Sequence, residues 1–478
     1  MGVFVILAVL LAAACLAATR PRAALLTTVF LSSWNGLIAD MGISIYAYQI
    51  SLLALAGVTL VRSLQPGWTP VRIAAGGWLT VLILWAIILS VIMMGFLPEA
   101  DKLGGALRNS TTRAAIQIAL FIFTVCPVGL IAWLGMRGDD LAACARVYVA
   151  SGIVLATIGW GQLVVWYATG SNPLQVAAIS SALGGNETYS RQGAFDFGQL
   201  AIYRMNSLAG EPRNLGVALV LGMLIIQAHA LTAVKPPTLR LLVIWLYLLA
   251  AAVATYSTSA ALLWLIGTAV QLPAAWLFGV RVRRSLGSMA AAGLLVMAGL
   301  SGAVVAIEAR GIPVIDLLAE RTIERIDTNG AVEDFDLAII DYLTEHPRAA
   351  VTGVGLGAAH LYAAPYLDPL FALYAESSVF AAKTAYLRFI SEIGAIGLVL
   401  FLAWYTRLTM LAARAGRGDD RLGALVPMTA TLLVVYLANG QISNEFWIGA
   451  GLLTASCASA HRITRTIPAS RATQTVTV

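Results

Sequence analysis

Residues 73–96 read IAAGGWLTVLILWAIILSVIMMGF and contain no charged side chain. A run of about 20 apolar residues is the length that crosses a bilayer as a helix. The pattern recurs along the chain. Thirteen apolar segments run at roughly 3–18, 23–39, 42–61, 73–96, 114–135, 142–168, 214–232, 241–256, 259–279, 286–307, 383–406, 422–438 and 446–460. Of the 478 residues 59% are hydrophobic and 11% charged, against about 25% charged in a typical soluble domain. A soluble fold could not hide this much apolar surface. A soluble enzyme, a secreted disulfide scaffold, a disordered chain and a nucleic-acid binder are therefore excluded. Uniformly apolar segments read as helices, since barrel strands would alternate. The expectation is an all-α, polytopic membrane protein with about 12–13 spans.

Lys and Arg set the sidedness. Alternate connections carry Arg20/Arg22, Arg62/Arg72, Arg137/Arg146, Lys235/Arg240, Arg281/Arg283/Arg284 and Arg407/Arg414/Arg417/Arg421, and the tail adds Arg462, Arg465 and Arg471. These are 18 of the 30 basic residues. The short opposite connections carry only Lys102, Arg108 and Arg113. The first set is read as cytoplasmic, with two long loops facing outward. The first segment has no basic flank before it, so it reads as an anchor with an outward N-terminus rather than a cleaved signal. Cys15, Cys126, Cys144 and Cys457 sit in or beside spans without metal-ligand spacing, and read as small buried residues.

The chain thus divides into N-terminal spans (1–168), a first outer loop (169–213), central spans (214–307), a second outer loop (308–382), and C-terminal spans with a cytoplasmic tail (383–478). Ionisable residues are scarce in the spans, which argues against an ion-coupled transporter. Polar residues collect in the loops. The first ends in Arg204, Glu211, Pro212, Arg213 and Gly216. Pro212 suits a first helical turn and Glu211 its positive end, so the two arginines would make an anion site where a span begins. A local ion pair at the interface is the plainer alternative. Tyr256 and Ser257 lie in a hydroxyl-rich turn, able to bond a sugar or phosphate or merely to satisfy a helix break. The second loop holds 12 of the 24 acids and the arginines Arg310, Arg321, Arg325 and Arg348. Val332, Phe335, Ile339, Ile340 and Leu343 predict an amphipathic helix, ended by His346-Pro347. Thr352-Gly353-Val354-Gly355-Leu356-Gly357 reads as a flexible turn and only weakly as a phosphate loop. At the eleventh span Lys383 and Tyr386 share a face, and Arg388 and Glu392 can pair. His346 and His360 are the outward histidines.

Taken in order, these segments resemble the O-antigen polymerase and O-antigen ligase superfamily of bacterial inner membranes. The resemblance rests on Arg204 through Gly216, on Thr255-x-Ser257, and on His346-Pro347 with the glycine turn followed by Lys383-Thr384, nine residues, and Gly394-Ala395-Ile396-Gly397. Lys383 stands where the family often has histidine, and Thr258 where it usually has arginine. The resemblance implies a GT-C-like, inverting, metal-independent glycosyltransferase without a cofactor, acting on an undecaprenyl-diphosphate-linked oligosaccharide at the periplasmic face. Membrane lipid and a chain-length-determining co-polymerase are the implied partners, with no nucleic acid. Arg204, Arg213 and Lys383 are then assigned to the diphosphate, and Arg321, Arg388, Tyr256 and Ser257 to substrate. Glu211 is the first candidate base, with Tyr386 and His360 as helpers. The missing ligase-type histidine favours a polymerase. A glycan ligase, a lipid-linked oligosaccharide flippase and a non-catalytic assembly factor remain as alternatives.

Overall fold

The computed structural model describes residues 2–35, 38–40, 44–66, 73, 75–97, 109–134, 138–170, 194–197, 200–233, 238–282, 334–367, 382–418 and 423–466. The described chain is predominantly helical. Its helices are α1 (Gly2–Thr19), α2 (Pro21–Leu31), α3 (Ala47–Ser63), α4 (Gly76–Met93), α5 (Ser110–Trp133), α6 (Gly138–Thr169), α7 (Pro212–Thr232), α8 (Leu239–Ala254), α9 (Thr258–Leu277), α10 (Asp334–Glu345), α11 (Pro347–Thr352), α12 (Ala359–Ala363), α13 (Ala385–Gly418), α14 (Leu425–Ala438) and α15 (Ser443–Thr466). Six of them, α4, α5, α6, α7, α9 and α13, are long and apolar enough to cross a membrane. The other apolar segments give shorter helices, except that α15 has 24 residues. The tenth segment, 286–307, lies outside the described residues, as does Arg321.

The second and third apolar segments are not continuous helix. α2 stops at Leu31, and Ile38–Asp40 (β1) pairs antiparallel with Ser44–Tyr46 (β2), Ile38 opposite Tyr46. Ser32, Ser33, Asn35 and Asp40 interrupt the apolar run, and Ser32 Oγ bonds back to the Val29 carbonyl at 2.8 Å where α2 ends. A second hairpin, Ala194–Phe197 (β3) with Leu200–Tyr203 (β4), lies near the end of the 169–213 segment.

The first three basic connections meet at one end of the bundle. Arg22 pairs with Asp140 at 3.7 Å, and Arg62 donates to the Ala18 carbonyl at 2.6 Å. These residues all come from the basic connections. The nearly wholly buried α7 packs among α6, α8 and α9. At the other end α10, α11 and α12 form a cap with its own apolar core, where Ile339, Tyr342, Leu343, Val354, Ala359 and Ala363 are buried. The predicted amphipathic helix is therefore present, although Ile340 is turned outward.

The cap is fastened to a break in α13. Gly394 has φ 76° and ψ 172° inside that helix, and Gly353, just after α11, has φ 83° and ψ 170°. This region of backbone space is essentially reserved for glycine. The break frees carbonyls, and the cap supplies donors: Val354 N–H reaches the Ser391 carbonyl at 3.0 Å and Gly355 N–H the Glu392 carbonyl at 2.9 Å. The Trp85 indole of α4 takes the Ile393 carbonyl at 2.9 Å. Leu356 N–H then bonds Ser90 Oγ at 3.1 Å. The glycine turn is thus a docking strap and cradles no phosphate. A methyl group at Gly394 would collide with the Val351 carbonyl oxygen and lie 2.7 Å from Gly353 N.

Gly394→Ala is expected to lower the thermal midpoint in detergent by several degrees, since the backbone strain alone costs about 1–3 kcal/mol. Gly57→Ala in α3, where a Cβ would meet nothing within 4 Å, should leave it unchanged. Equal midpoints for the two variants would refute the strap.

Candidate functional site

The first-loop motif is held by a hairpin and a stack. Tyr203, at the end of β4, lies on Trp166 of α6 with ring centroids 5.1 Å apart, and Gln162 Oε1 accepts from Ser207 N–H at 2.8 Å. This fixes Arg204 against the turn between α8 and α9. Its Nε–H donates to the Thr255 carbonyl at 3.0 Å and a terminal N–H to the Tyr256 carbonyl at 3.3 Å. Arg204 therefore secures a helix break, a backbone task. The hydroxyls of that turn do likewise: Thr255 bonds the Ala252 carbonyl, and Ser257 caps α9 by accepting from Ala260 N–H at 3.3 Å. Tyr256 is half exposed and has φ 47°.

Pro212 occupies the first turn of α7 and Glu211 its N-cap, as the sequence predicts, although the Glu211 side chain makes no capping bond. Gly216, one turn on, lets α7 approach the same break. A Cβ there would stand 2.8 Å from both Ala260 Cβ and Thr255 Oγ1. Arg204, Arg213 and the 255–257 turn thus share one end of the bundle.

Asp336 joins this group to the eleventh apolar segment. It lies on the buried face of α10, 4% exposed. Its Oδ1 accepts from the Lys383 N–H at 3.0 Å, the Thr384 N–H also bonds it, and the Arg213 charge is close enough to favour its ionised form. Burial nevertheless holds its carboxyl above the ordinary carboxylate range. The positive end of α13 is therefore already met by a carboxylate supplied from the cap. The Lys383 carbonyl in turn accepts from Gly440 N–H at 2.8 Å, which ties in the start of α15. Asp336 escaped the sequence reading. Its signal was there: an acid in register with Ile339 and Leu343, on the apolar face of an amphipathic helix.

The remaining candidates separate. Tyr386 is exposed on the first turn of α13. Arg388 and Glu392 form the predicted i, i+4 pair, Nε to Oε1 at 3.2 Å. Glu392 is buried, and both residues line a cavity of about 220 Å³ with Gln117, Tyr436, Ser443 and Trp447. His360 is fully buried beneath the cap, with no hydrogen-bond partner of good geometry on either ring nitrogen. Arg113, also buried, is the charge it feels most. His360 thus sits inside the cap, closed off from solvent.

No family model matches the chain, and no curated protein matches it.

Burial, and then the Arg113 charge, lower the His360 imidazole from 6.5 to about 4. The folded cap rejects a proton that the open cap accepts. Its stability is complete above about pH 6.5 and declines as pH falls toward 4, by about 3 kcal/mol in all. Protection factors of residues 353–363, from which the pH dependence of intrinsic amide exchange has been divided out, should fall as pH is lowered across that interval in the wild type and stay flat in His360→Gln. The same acid response in both would remove His360 from this role.

Proposed function

We propose that this protein is a membrane glycosyltransferase that polymerises lipid-linked saccharide units on the outer face of a bacterial cytoplasmic membrane. One observation carries the reading. Asp336 bonds the backbone at the start of α13, and the charge of Arg213, from the end of the first long loop, reaches the same carboxylate. These are two of the segments on which the likeness to the polymerase and ligase superfamily rests. They are 170 residues apart in sequence and meet at the end of the bundle where an amphiphilic donor would present its diphosphate.

The chemistry asked of such a site is simple to state. A sugar hydroxyl of one lipid-linked unit attacks the anomeric carbon of another. The new glycosidic bond forms as the bond to the diphosphate breaks, and the lipid diphosphate leaves with the electron pair. The hydroxyl proton passes to a base. Cations on the departing diphosphate lower the barrier because charge grows there in the transition state. Arg213 and Lys383 are suited to that work. Glu211, at the N-cap of α7, is the candidate proton acceptor, and the exposed Tyr386 stands on the first turn of α13. Arg204 acts one step back, by holding the 255–257 turn against which α7 is packed.

Purified protein in lipid, given a polyprenyl-diphosphate-linked oligosaccharide, should produce a ladder of longer chains on a gel. Arg213→Ala should reduce its rate by about 10²–10³-fold, the cost of removing one stabilising charge or donor from such a transition state, with an unchanged gel-filtration profile. A single transfer without a ladder would make the protein a ligase. Full activity in Arg213→Ala would move the site elsewhere.

A further inference from the structure

The cavity beside Arg388 is not part of the cation cluster described above. Three helices each present residues one or two turns apart to it: Gln117 and Thr124 from α5, Arg388 and Glu392 from α13, Ser443 and Trp447 from α15. α14 adds Tyr436. Arg388 lies three residues beyond Ala385, the first residue of α13, or about 4.5 Å along the helix axis. Ile393, also at the cavity wall, is bonded by Trp85, itself eight residues and about 12 Å back from the end of α4. The void therefore reaches into the membrane-embedded part of the bundle, where a charged pair is expensive and marks a site.

Its chemistry is two-sided. Tyr436 and Trp447 belong to a rigid aromatic block. Trp447 stacks on Trp404 at 5.5 Å, Tyr436 on Phe446 at 4.1 Å, and Phe389 on Phe401 at 4.5 Å. The amide of Gln117, the guanidinium of Arg388, the carboxylate of Glu392 and the hydroxyl of Ser443 supply polar groups. Gly357, with φ 64°, makes room for Gln117, since a Cβ there would strike that side chain. Pockets for drug-sized ligands begin at about 300 Å³, so 220 Å³ suits one ring and not a chain.

We propose that this cavity is the subsite for a single neutral pyranose ring, seated with its C–H face on the aromatic wall. The proposal rests on the glycan-handling reading above and names the part of the substrate that this region takes. Neutrality follows from the ion pair. Glu392 already balances Arg388 through Nε, and the other guanidinium N–H groups can donate to vicinal hydroxyls while carboxylate lone pairs accept from them. A free anion would have to break the pair.

The test measures sugar binding without turnover. Glucose, galactose, mannose, N-acetylglucosamine and glucuronic acid are titrated against the full-length protein in detergent, by saturation-transfer NMR. At least one neutral sugar should bind saturably, more tightly than glucuronic acid. Gln117→Leu and Ser443→Ala should each weaken it by tenfold or more at an unchanged thermal midpoint. The proposal fails if no neutral sugar saturates, if glucuronic acid binds best, or if both variants bind as the wild type does. It also fails if native mass spectrometry finds a phospholipid that the variants release. The chain-length ladder is scored separately. Sugar binding without a ladder would overturn the polymerase reading alone, and a ladder without sugar binding would overturn this one alone.

Discussion

The structure turns on three carbonyl groups. Where α13 breaks at Gly394, Ser391, Glu392 and Ile393 cannot all bond forward within the helix. Inside an apolar slab an unpaired backbone carbonyl costs several kcal/mol, because neither water nor lipid answers it. A broken membrane helix is tolerated only where other protein supplies the donors. Here they come from Val354, Gly355 and Trp85. The cap is therefore bound to the bundle by a hydrogen-bonding debt of which the bundle's own Trp85 meets only one part.

That attachment sets the rest of the outer end. With the glycine turn fixed on α13, α10 lies where Asp336 can bond the first N–H groups of the same helix. α12 carries His360 to a buried position where it feels the Arg113 charge of α5. Tyr362, just beyond, donates to the Phe96 carbonyl past the end of α4 at 2.9 Å. The strap, the Asp336 bonds and the Tyr362 contact cross different helices, so the cap cannot tilt without losing several at once. Such over-determination lets two glycines keep a backbone conformation that other residues avoid.

Much of this could be read from the residues. Twelve of the thirteen apolar segments fall on described helices, at least in part. Pro212 at the start of α7, the end of α10 just before His346-Pro347, and the Arg388–Glu392 pair all follow from local rules about caps and i, i+4 spacing. What escaped was set by tertiary partners. Gly353 and Gly394 looked like parts of a flexible turn and of a separate spacing motif, because nothing local says that two glycines 41 residues apart oppose each other. Arg204 looked like an anion ligand because its acceptors, the 255 and 256 carbonyls, are created by a helix break elsewhere in the chain. The β1–β2 ladder was hidden by apolar residues whose hydropathy suits a span as well as a strand.

Glu392 connects the two levels of the outer end. Its backbone carbonyl receives Gly355 of the strap, while its side chain holds Arg388 at the cavity wall. The residue before it, Ser391, receives Val354. Any displacement of the strap must carry the Glu392 backbone with it, and the carboxylate is only two bonds beyond the Cβ. The cavity can therefore hold its present shape only while the cap is seated. The cap has a function even if it never touches a ligand: it completes a hydrogen-bond network without which the ion pair below would have no fixed support. Long-range order at this site comes from that shared residue, and not from a continuous chain of charges, which the sparse ionisable content of the spans could not provide.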